Sequence, residues 1–298
     1  MEQNWKTNGP LIIGGVGGSG TRLVTEICQS LGYNLGDDLN ESLDNLAYTL
    51  LFRRYHWYVK NQHKDKKLLT GLNLLEKLIK KNYFLSIQEI YFLLYSVADT
   101  YLHYRDDKKW AFIRIQNIFQ KPKNDYALTG WGWKEPNSYL LLPQLINKYP
   151  KLKFIHIIRH GLDMALSKNQ RQMKNWSGLF FTDWKEGKEA TPEDSLRFWI
   201  AANNYINKHG SSLGPAHYLQ INFDQLCTEP ELITRRITDF LDIKLDQQEF
   251  NQLLELPKSP PTIGRYKNQD LSVFHDNEIQ EVIKFGFQVE NEHKQQNS

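Results

Sequence analysis

The sequence is poor in cysteine, with only Cys28 and Cys227 among its 298 residues. Two cysteines cannot make a disulfide framework in a chain of this length, and neither stands in a Cys-x-x-Cys metal or redox spacing. We expect both to be small buried apolar residues. None of the nine histidines pairs with another at a metal-ligand spacing on a helix. The sequence therefore predicts no metal site.

Long apolar runs and a strong excess of one charge are also missing. No run approaches the ~18 apolar residues that cross a bilayer, and the first ten residues are polar and lack the apolar core of a secretory signal. We expect a soluble chain in the reducing cytoplasm, without a transmembrane segment. With 37 Lys+Arg against 34 Asp+Glu, the net charge of +3 is too small for a general nucleic-acid binder. Any anion-binding site must therefore come from a small cluster of residues and not from the charge of the whole chain.

The sequence shows instead a regular alternation of strand and helix patterns. An apolar strand at 11–13 leads through a glycine cluster into a helix over 21–31. Further strands are predicted at 127–133, 153–158 and 218–223, with helical patterns between them. This alternation indicates a three-layer α/β/α domain with a central parallel sheet of about five strands, of the type seen in P-loop NTPases.

Residues 34–126 interrupt this alternation. From Ser42 to about Arg105, apolar residues recur at helical spacing. The basic stretch between Lys60 and Lys67 is interpreted as a solvated helix end or loop rather than as a binding patch. We therefore expect one domain over residues 1–298, in which 34–126 is a mainly helical insertion.

The first chemical motif is the glycine cluster between the first strand and the first helix. Glycines at 14, 15, 17, 18 and 20 let backbone N–H groups turn toward a ligand, and the helix N-terminus adds about half a positive charge. This pattern is typical of an anion site. It is not a Walker loop, because Gly20 is followed by Thr21 and Arg22 instead of lysine and Ser/Thr. An ordinary NTPase is disfavoured, and so is a dinucleotide enzyme, since no acidic residue follows in the required register.

The second motif follows the strand at 153–158, where Arg159 is separated by seven residues from Ser167, which is expected two turns into the next helix. This segment resembles the 3′-phosphate-binding motif of sulfotransferases that use 3′-phosphoadenosine-5′-phosphosulfate (PAPS). The residues from Gly17 to Arg22 resemble the 5′-phosphosulfate loop of that family. Trp133-Lys134-Glu135-Pro136 is similar to the Lys-x-Pro element of its carbohydrate and tyrosyl-protein members.

Two more motifs complete the resemblance. Phe223 stands where many members have a tyrosine near the adenine, and Pro261 to Asn268 resembles the C-terminal loop that closes over the cofactor. The five motifs occur in the family's order between residue 11 and about residue 270. The resemblance implies that PAPS, and its product PAP, are held without a metal by the following residues: Gly17, Gly18, Ser19, Gly20, Thr21, Arg22, Arg159, Ser167, Phe223, Gly264, Arg265, Tyr266 and Lys267.

The resemblance also implies a catalytic lysine. The basic residue of the family's phosphosulfate loop falls here on Gly18, which carries no charge, so Lys134 or Arg22 must compensate. Lys134 is favoured, because the matching family lysine lies beside the transferring group.

The catalytic base has several candidates. In some branches of the family a carboxylate soon after the first helix serves, and Asp37, Asp38 and Glu41 occupy that region. Adjacent carboxylates raise one another's pKa, which suits a base, but acids before a helix are explained equally well by the helix dipole. In the cytosolic branch a histidine serves, and His56 and His103 are alternatives.

A polar, aromatic stretch from Gln170 to Thr191 has the length of a functional lid. Trp176 and Trp184 are candidate lid residues, whereas Trp199 is expected in the core. A lid that excludes water would limit hydrolysis of the sulfuryl donor.

The predicted reaction is in-line transfer of a sulfuryl group from PAPS to a hydroxyl or amine, with catalysis by positioning and charge stabilisation. The acceptor is expected to be a small molecule, a saccharide, a lipid alcohol or a tyrosyl peptide, recognised by residues 34–126. A kinase would explain the glycine cluster but requires Gly-Lys-Ser/Thr and an acidic Mg²⁺ ligand. A catalytically weak PAP-binding homologue is the other alternative, and Gly18 is its main support.

Overall fold

The computed structural model describes residues 8–103, 108–120, 129–185 and 187–290, and these residues form a five-stranded parallel sheet. Its strands are β1 (Leu11–Gly15), β2 (Tyr33–Asn34), β3 (Gly130–Lys134), β4 (Lys153–Ile158) and β5 (Tyr218–Asn222). The order across the sheet is β2-β3-β1-β4-β5. The predicted α/β class and the number of strands are confirmed. Strand β2 has two residues and leaves no pattern in the sequence.

The helices follow the strands along the chain and bear out the predicted alternation. They are α1 (Thr21–Ser30), α2 (Leu46–Phe52), α3 (Tyr55–Asn61), α4 (Asp65–Ile79), α5 (Ile87–His103), α6 (Lys108–Ile118), α7 (Leu142–Lys148), α8 (Gly161–Ala165), α9 (Arg171–Trp176), α10 (Pro192–Gly210), α11 (Phe223–Thr228), α12 (Pro230–Leu241), α13 (Gln247–Leu254) and α14 (Asp276–Lys284). Short 3-10 helices include Pro136–Leu141 and Arg265–Asn268. Within the described ranges, no helix combines the length and the apolar character needed to span a bilayer.

The chain divides into two compact units. The first comprises Met1–Gly14, Arg22–Ile155 and Pro215–Tyr218, and the second comprises Gly15–Thr21, His156–Gly214 and Leu219–Ser298. The region expected to be a helical insertion belongs to the first unit, and its described helices are α2 to α6.

The first unit is organised around β1 and β3. These strands pair in parallel, with Ile12 opposite Trp133 and Ile13 opposite Lys134. Trp131 and Trp133 are buried, and each meets the ring of Tyr149 edge-on. Large apolar side chains on a short strand bury much surface in few residues, which stabilises the register that fixes the position of Lys134.

The second unit is organised around α10. This helix begins with a capping box, in which Thr191 and Asp194 satisfy each other's backbone N–H groups, and Pro192 occupies its first turn as predicted. Trp199 is buried, as expected, and its indole donates to the carbonyl of Arg159 at 3.1 Å. Gly161 lies so close to Trp199 that a Cβ would come within 3.1 Å of the ring. The start of α8 is thereby held against α10.

Several expectations from the sequence are wrong in detail. Phe223 does not end a strand but begins α11, because the side chain of Asn222 accepts the N–H of Asp224 at 2.9 Å and caps the helix. Ser167 is not two turns into a helix, because α8 ends at Ala165. The amide of Gln170 donates to the carbonyls of Met164, Ala165 and Ser167 and so terminates that helix.

Two other expectations are corrected or lie outside the described residues. Cys28 is buried as expected, but Cys227 is only partly covered. The predicted strand at 127–133 begins at Gly130 in the structure, and residues 127 and 128 lie outside the described residues.

Candidate active site

The loop between β1 and α1 buries a hydroxyl for which the described residues offer no hydrogen-bond partner. The N–H of Ser19 donates to the carbonyl of Val16 at 3.0 Å and closes a tight turn. Gly18 and Gly20 have φ values of +95° and +92°, which favour glycine. Ser19 is 1% exposed, and among the described residues its Oγ has no partner. Since a buried polar group without a partner costs free energy, the site is suited to a ligand that supplies one.

The glycine loop rests on a phenylalanine and is touched by a glutamine. A Cβ on Gly20 would lie 2.0 Å from the ring of Phe223, so the loop backbone lies directly against that ring. The N–H of Gly17 donates to Oε1 of Gln172 on α9. Gln172 is a site residue that sequence reasoning missed, and its only signal is its place in the predicted lid.

Arg159 follows β4 and approaches the same phenylalanine. Its guanidinium carbon lies 5.2 Å from the centre of the Phe223 ring, and Nη2 donates to the hydroxyl of Thr262 at 2.8 Å. The nearest contact with Asp224, from Nε to Oδ1, is 3.9 Å, and Nε has no hydrogen-bond partner among the described residues. Burial lowers the pKa of Arg159, and the charges of Asp224 and Asp163 oppose that shift. An arginine with a donor left over is suited to phosphate.

The C-terminal loop is fixed by a buried carboxylate. The N–H groups of Gly264 and Tyr266 donate to the two oxygens of Asp163 at 2.7 and 3.1 Å. The ring of Tyr266 stacks on His160 at 4.2 Å, and its hydroxyl donates to the carbonyl of Gln288 at 3.0 Å. Sequence reasoning missed Asp163, although it stands four residues after Arg159. Through Asp163 and Thr262, the loop is held to the segment that carries Arg159.

Lys134 ends β3 in the first unit. It lies opposite Ile13 of β1, and Ile13 directly precedes Gly14, where the glycine cluster begins. The side chain is buried, and its ammonium donates to the carbonyl of Ser42 at 2.7 Å and to the carboxylate of Asp44. The backbone of Lys134 is held as well, because its carbonyl accepts the N–H of Asn45 at 2.7 Å. The lysine is therefore fixed by the segment that precedes α2.

The comparison with known families decides the classification of the chain. Residues 10–247 match the model of the Sulfotransferase family. The chain belongs to the sulfotransferase family. No curated protein sequence matches it.

The fold of the chain resembles that of a solved sulfotransferase domain. The chain is similar to the sulfotransferase domain from the curacin biosynthetic pathway, with 14% identity and a TM-score of 0.51 over 95% of this chain and 99% of that chain. The sulfotransferase domain of the Synechococcus PCC 7002 olefin synthase matches with 16% identity and a TM-score of 0.48, over 95% of this chain and 97% of that one. Sulfotransferase STF1 from Mycobacterium tuberculosis H37Rv matches with 14% identity and a TM-score of 0.41, over 83% and 71% of the two chains.

In this sulfotransferase the three predicted carboxylates have different surroundings. Asp37 forms an ion pair with Lys81 at 3.0 Å. Asp38 lies 3.3 Å from Arg114 and accepts a hydrogen bond from the amide of Asn117 at 2.7 Å. Glu41 is exposed. The acid bonded to Lys134 is Asp44, which the sequence does not distinguish from its acidic neighbours.

Glu135 adds a second buried acid to the Lys134 region. Its two oxygens accept the backbone and side-chain N–H groups of Asn137 at 2.7 and 2.8 Å, and Arg53 lies 4.0 Å away. Burial raises the pKa of Glu135, the charge of Arg53 opposes the shift, and the charge of Asp44 adds to it. Buried acids with shifted pKa values concentrate at functional sites. The sequence gives no signal for Glu135 beyond its place in Lys-x-Pro.

Other predicted cofactor residues lie in several environments. Thr21 is buried at the start of α1, whereas the Arg22 side chain is 62% exposed and pairs with Glu26. The hydroxyl of Ser167 accepts the N–H of Asn169 at 3.2 Å. Nε of Arg265 donates to the carbonyl of Thr262 at 3.3 Å, and Lys267 pairs with Glu290 at 2.6 Å.

The histidine and lid candidates are also placed. His56 is exposed, and His103 is exposed at the end of α5, where its ring lies 3.1 Å from Asp99. Trp176 is 2% exposed, so it is a core residue and not the lid residue predicted, because helix α9 turns it inward. Trp184 is partly exposed, and the ammonium of Lys188 lies 5.3 Å from its ring.

No group of three or more metal-ligating side chains of the His, Cys, Asp or Glu type occurs in the described ranges.

Proposed function

We propose that the chain transfers a sulfuryl group from PAPS to a hydroxyl or amine acceptor and releases PAP. The observation that carries the proposal is the buried Ser19 hydroxyl, which has no partner among the described residues, in a glycine loop that lies against Phe223. A phosphate or sulfate oxygen at the N-terminus of α1 would accept a hydrogen bond from such a hydroxyl. The predicted loop residues from Gly17 to Arg22 are proposed to hold the 5′-phosphosulfate end.

The 3′-phosphate is proposed to bind at Arg159. Its Nε, which has no hydrogen-bond partner in the described part of the chain, and the neighbouring Thr262 hydroxyl offer donors at one place, and Phe223 presents its ring beside them. Ser167 and the residues from Gly264 to Lys267 are proposed to complete this end of the cofactor site. Asp163 acts indirectly, because it fixes the backbone of that loop.

Lys134 is proposed to stabilise charge during the transfer. PAPS, when bound, supplies the sulfuryl group, whose bond to a phosphate oxygen breaks as a bond to the acceptor oxygen or nitrogen forms. The negative charge that develops on the phosphate oxygen is then opposed by the ammonium of Lys134, which Asp44 and the carbonyl of Ser42 hold in one orientation. Fixed orientation before the reaction is what makes such a charge effective.

The proton of the acceptor is proposed to pass to an acid that follows α1. Asp44 is the first candidate, because it is the acid bonded to Lys134. Asp37, Asp38 and Glu41 are the other candidates, and the first two are each neutralised by a basic side chain. Glu41 is exposed and is the alternative to Asp44, whose charge Lys134 already opposes.

Residues 34–126 are proposed to recognise the acceptor within a single catalytic domain. In this region a cleft of about 940 Å³ opens between the end of α4 and the start of α5, and Lys77, Lys80, Lys81 and Phe84 contribute to its lining. Lys81 also pairs with Asp37. Glu76 and Glu89 also line the cleft and pair with Lys80 and Lys77. Charged groups of both signs beside aromatic rings suit a polar acceptor with a ring, such as a saccharide or a tyrosyl group.

Thermal-shift measurements with PAP, ATP and NAD test the donor. We expect PAP to raise the melting temperature, because a ligand at 100 times its Kd stabilises a protein by about 2.7 kcal/mol. A chain that PAP fails to stabilise would contradict the proposal. Labelled PAPS with saccharide, phenol, tyrosyl-peptide and lipid-alcohol acceptors then tests transfer, and binding without transfer would indicate a PAP-binding homologue.

A further inference from the structure

Helix α5 is apolar on both of its sides. On one side Phe92, Leu93 and Val97 are buried, and Phe92 meets Trp57 edge-to-face at 5.6 Å. On the other side lie apolar side chains that are 37% to 84% exposed: Ile87, Ile90, Tyr91, Leu94, Tyr95, Tyr101 and Leu102. With about 100° per residue, these positions form one stripe about 140° wide. We call these residues the α5 stripe.

The charges of α5 lie away from the stripe. Glu89 is buried and pairs with Lys77 at 2.8 Å, and Asp99 pairs with the buried guanidinium of Arg54. The helix contains no lysine or arginine. A helix between core and solvent normally buries its apolar side and exposes its charges. Here both acids are neutralised by neighbouring cations, and an uncharged apolar surface faces outward, which indicates an interaction site.

The exposed surface is large enough for a stable interface. Phe84, just before the helix, is 90% exposed, and Phe112 of α6 is 55% exposed with its ring 6.1 Å from that of Tyr101. At the ~150–250 Å² that a large aromatic side chain buries, these two residues and the stripe offer roughly 1,000 Å². A stable interface needs ~800 Å² from each partner, whereas the largest patch on a typical monomer is ~300–600 Å².

We propose that the α5 stripe pairs with the α5 stripe of a second copy of this chain, with the two helices antiparallel. An interface around a twofold axis requires a patch that is complementary to itself. Turned end for end about the point between Leu94 and Tyr95, four residues of the stripe pair with one another: Ile87 of one copy faces Leu102 of the other, and Leu94 faces Tyr95. The other three stripe residues, Ile90, Tyr91 and Tyr101, face Asp99, Ala98 and Gln88.

A lipid surface fits the stripe less well. Helices that lie on membranes carry lysine and arginine on the side opposite their apolar face. The opposite side of α5 is mostly packed core with no lysine or arginine, and the basic residue that the helix carries there is His103 in its last turn. Three tyrosines and no charged side chain are instead typical of the centre of a protein interface.

Sedimentation of the full chain over a range of concentrations tests the pairing. We expect a dimer, and we expect Leu94→Glu to raise its dissociation constant by about 100-fold or more, because two carboxylates would meet near the axis. Leu232→Glu on α12 is the matched control, because Leu232 is 54% exposed and Leu94 is 58% exposed. The control must remain dimeric. A wild-type chain that stays monomeric, or a dimer that Leu94→Glu leaves intact, would overturn the proposal.

Cross-linking gives a second measurement that does not depend on a charged variant. In a Cys227→Ser background, Leu94→Cys is expected to cross-link to itself with a short bismaleimide. Ile87→Cys is expected to cross-link only when mixed with Leu102→Cys. Cross-linking of Ile87→Cys to itself would overturn the antiparallel arrangement. A monomer that binds lipid vesicles through Leu94 would show a lipid surface as the partner and would also overturn the proposal.

Discussion

The surroundings of Arg159 and of Lys134 differ in how their polar groups are satisfied. In the second unit, the Ser19 hydroxyl and Nε of Arg159 are buried, and neither has a hydrogen-bond partner within the described ranges. In the first unit, the Lys134 ammonium is bonded to Asp44 and to the carbonyl of Ser42, and both oxygens of Glu135 accept hydrogen bonds. Unused donors are suited to a ligand that remains bound, whereas a fully bonded lysine is suited to act without moving. Binding and catalysis are thus expected to respond to different substitutions.

The largest effect is expected from Lys134→Met. Loss of a charge that stabilises the transition state should lower kcat about 1,000-fold, while the Kd for PAP changes little. The variant also leaves the largely covered carboxylate of Asp44 without its cation, which can cost about 3–5 kcal/mol of stability. Lys134→Met with Asp44→Asn removes both charges and is a control for folding only, because Asp44 is the first candidate for the proton acceptor. A stable double variant with full activity would contradict the catalytic role of Lys134.

The second prediction is the reverse of the first, because the affinity for PAP should fall while kcat changes little. Arg159→Ala removes donors that are proposed to bind phosphate, and a lost charged hydrogen bond of about 1.5–3 kcal/mol weakens PAP by roughly 10- to 100-fold. At saturating PAPS, kcat should fall much less. Arg197→Ala is the control, because Arg197 is an exposed arginine that pairs with Asp183. If both Arg159→Ala and the lysine variant changed PAP affinity equally, the distinction between the two regions would fail.

The two regions also differ in how much the sequence could predict. The glycine cluster, Arg159 and Lys134 each stand at the end of an apolar strand, and the family resemblance depends on such local patterns. The partners that satisfy or fix them come from distant parts of the chain. Asp44 lies 90 residues from Lys134, and Gln172 lies 155 residues from Gly17. One sequence contains no signal for such contacts, because each depends on how separate loops pack.

The end of α8 shows why the local prediction also failed in places. The spacing of Arg159 and Ser167 predicts a helix that reaches Ser167, but the amide of Gln170 turns back and bonds the last carbonyls. Phe223 was misplaced for a similar reason, since Asn222 caps a helix where apolar alternation predicts continued strand. Side chains that bond to nearby backbone override hydrophobic periodicity at the ends of elements.

A smaller effect is expected from pH, through Glu135. Because burial raises its pKa in the folded chain, the protonated form is favoured by folding. The stability that Glu135 contributes is present below its unfolded pKa and is lost as pH rises through the raised folded pKa. Glu135→Gln removes this titration, so the variant should gain stability relative to the wild type as pH rises from about 4. Urea unfolding of both proteins at several pH values measures this gain. If the difference in unfolding free energy between the variant and the wild type were the same at every pH, Glu135 would not titrate as expected.

The smallest effect is expected from Ser19→Ala. It gives the sharpest test, because this substitution should raise the stability of the free chain but weaken the binding of PAP. Ser19→Ala removes a buried hydroxyl that has no partner in the described part of the chain, so the free chain should become more stable by about 1 kcal/mol. PAP should bind the same variant several-fold more weakly. Ser177→Ala is the matched control, since Ser177 is also buried with a hydroxyl that has no partner among the described residues but lies outside the glycine loop. That control should gain stability without losing PAP affinity. A Ser19→Ala chain that is destabilised, or that binds PAP as the wild type does, would mean that the hydroxyl serves the fold and not the ligand.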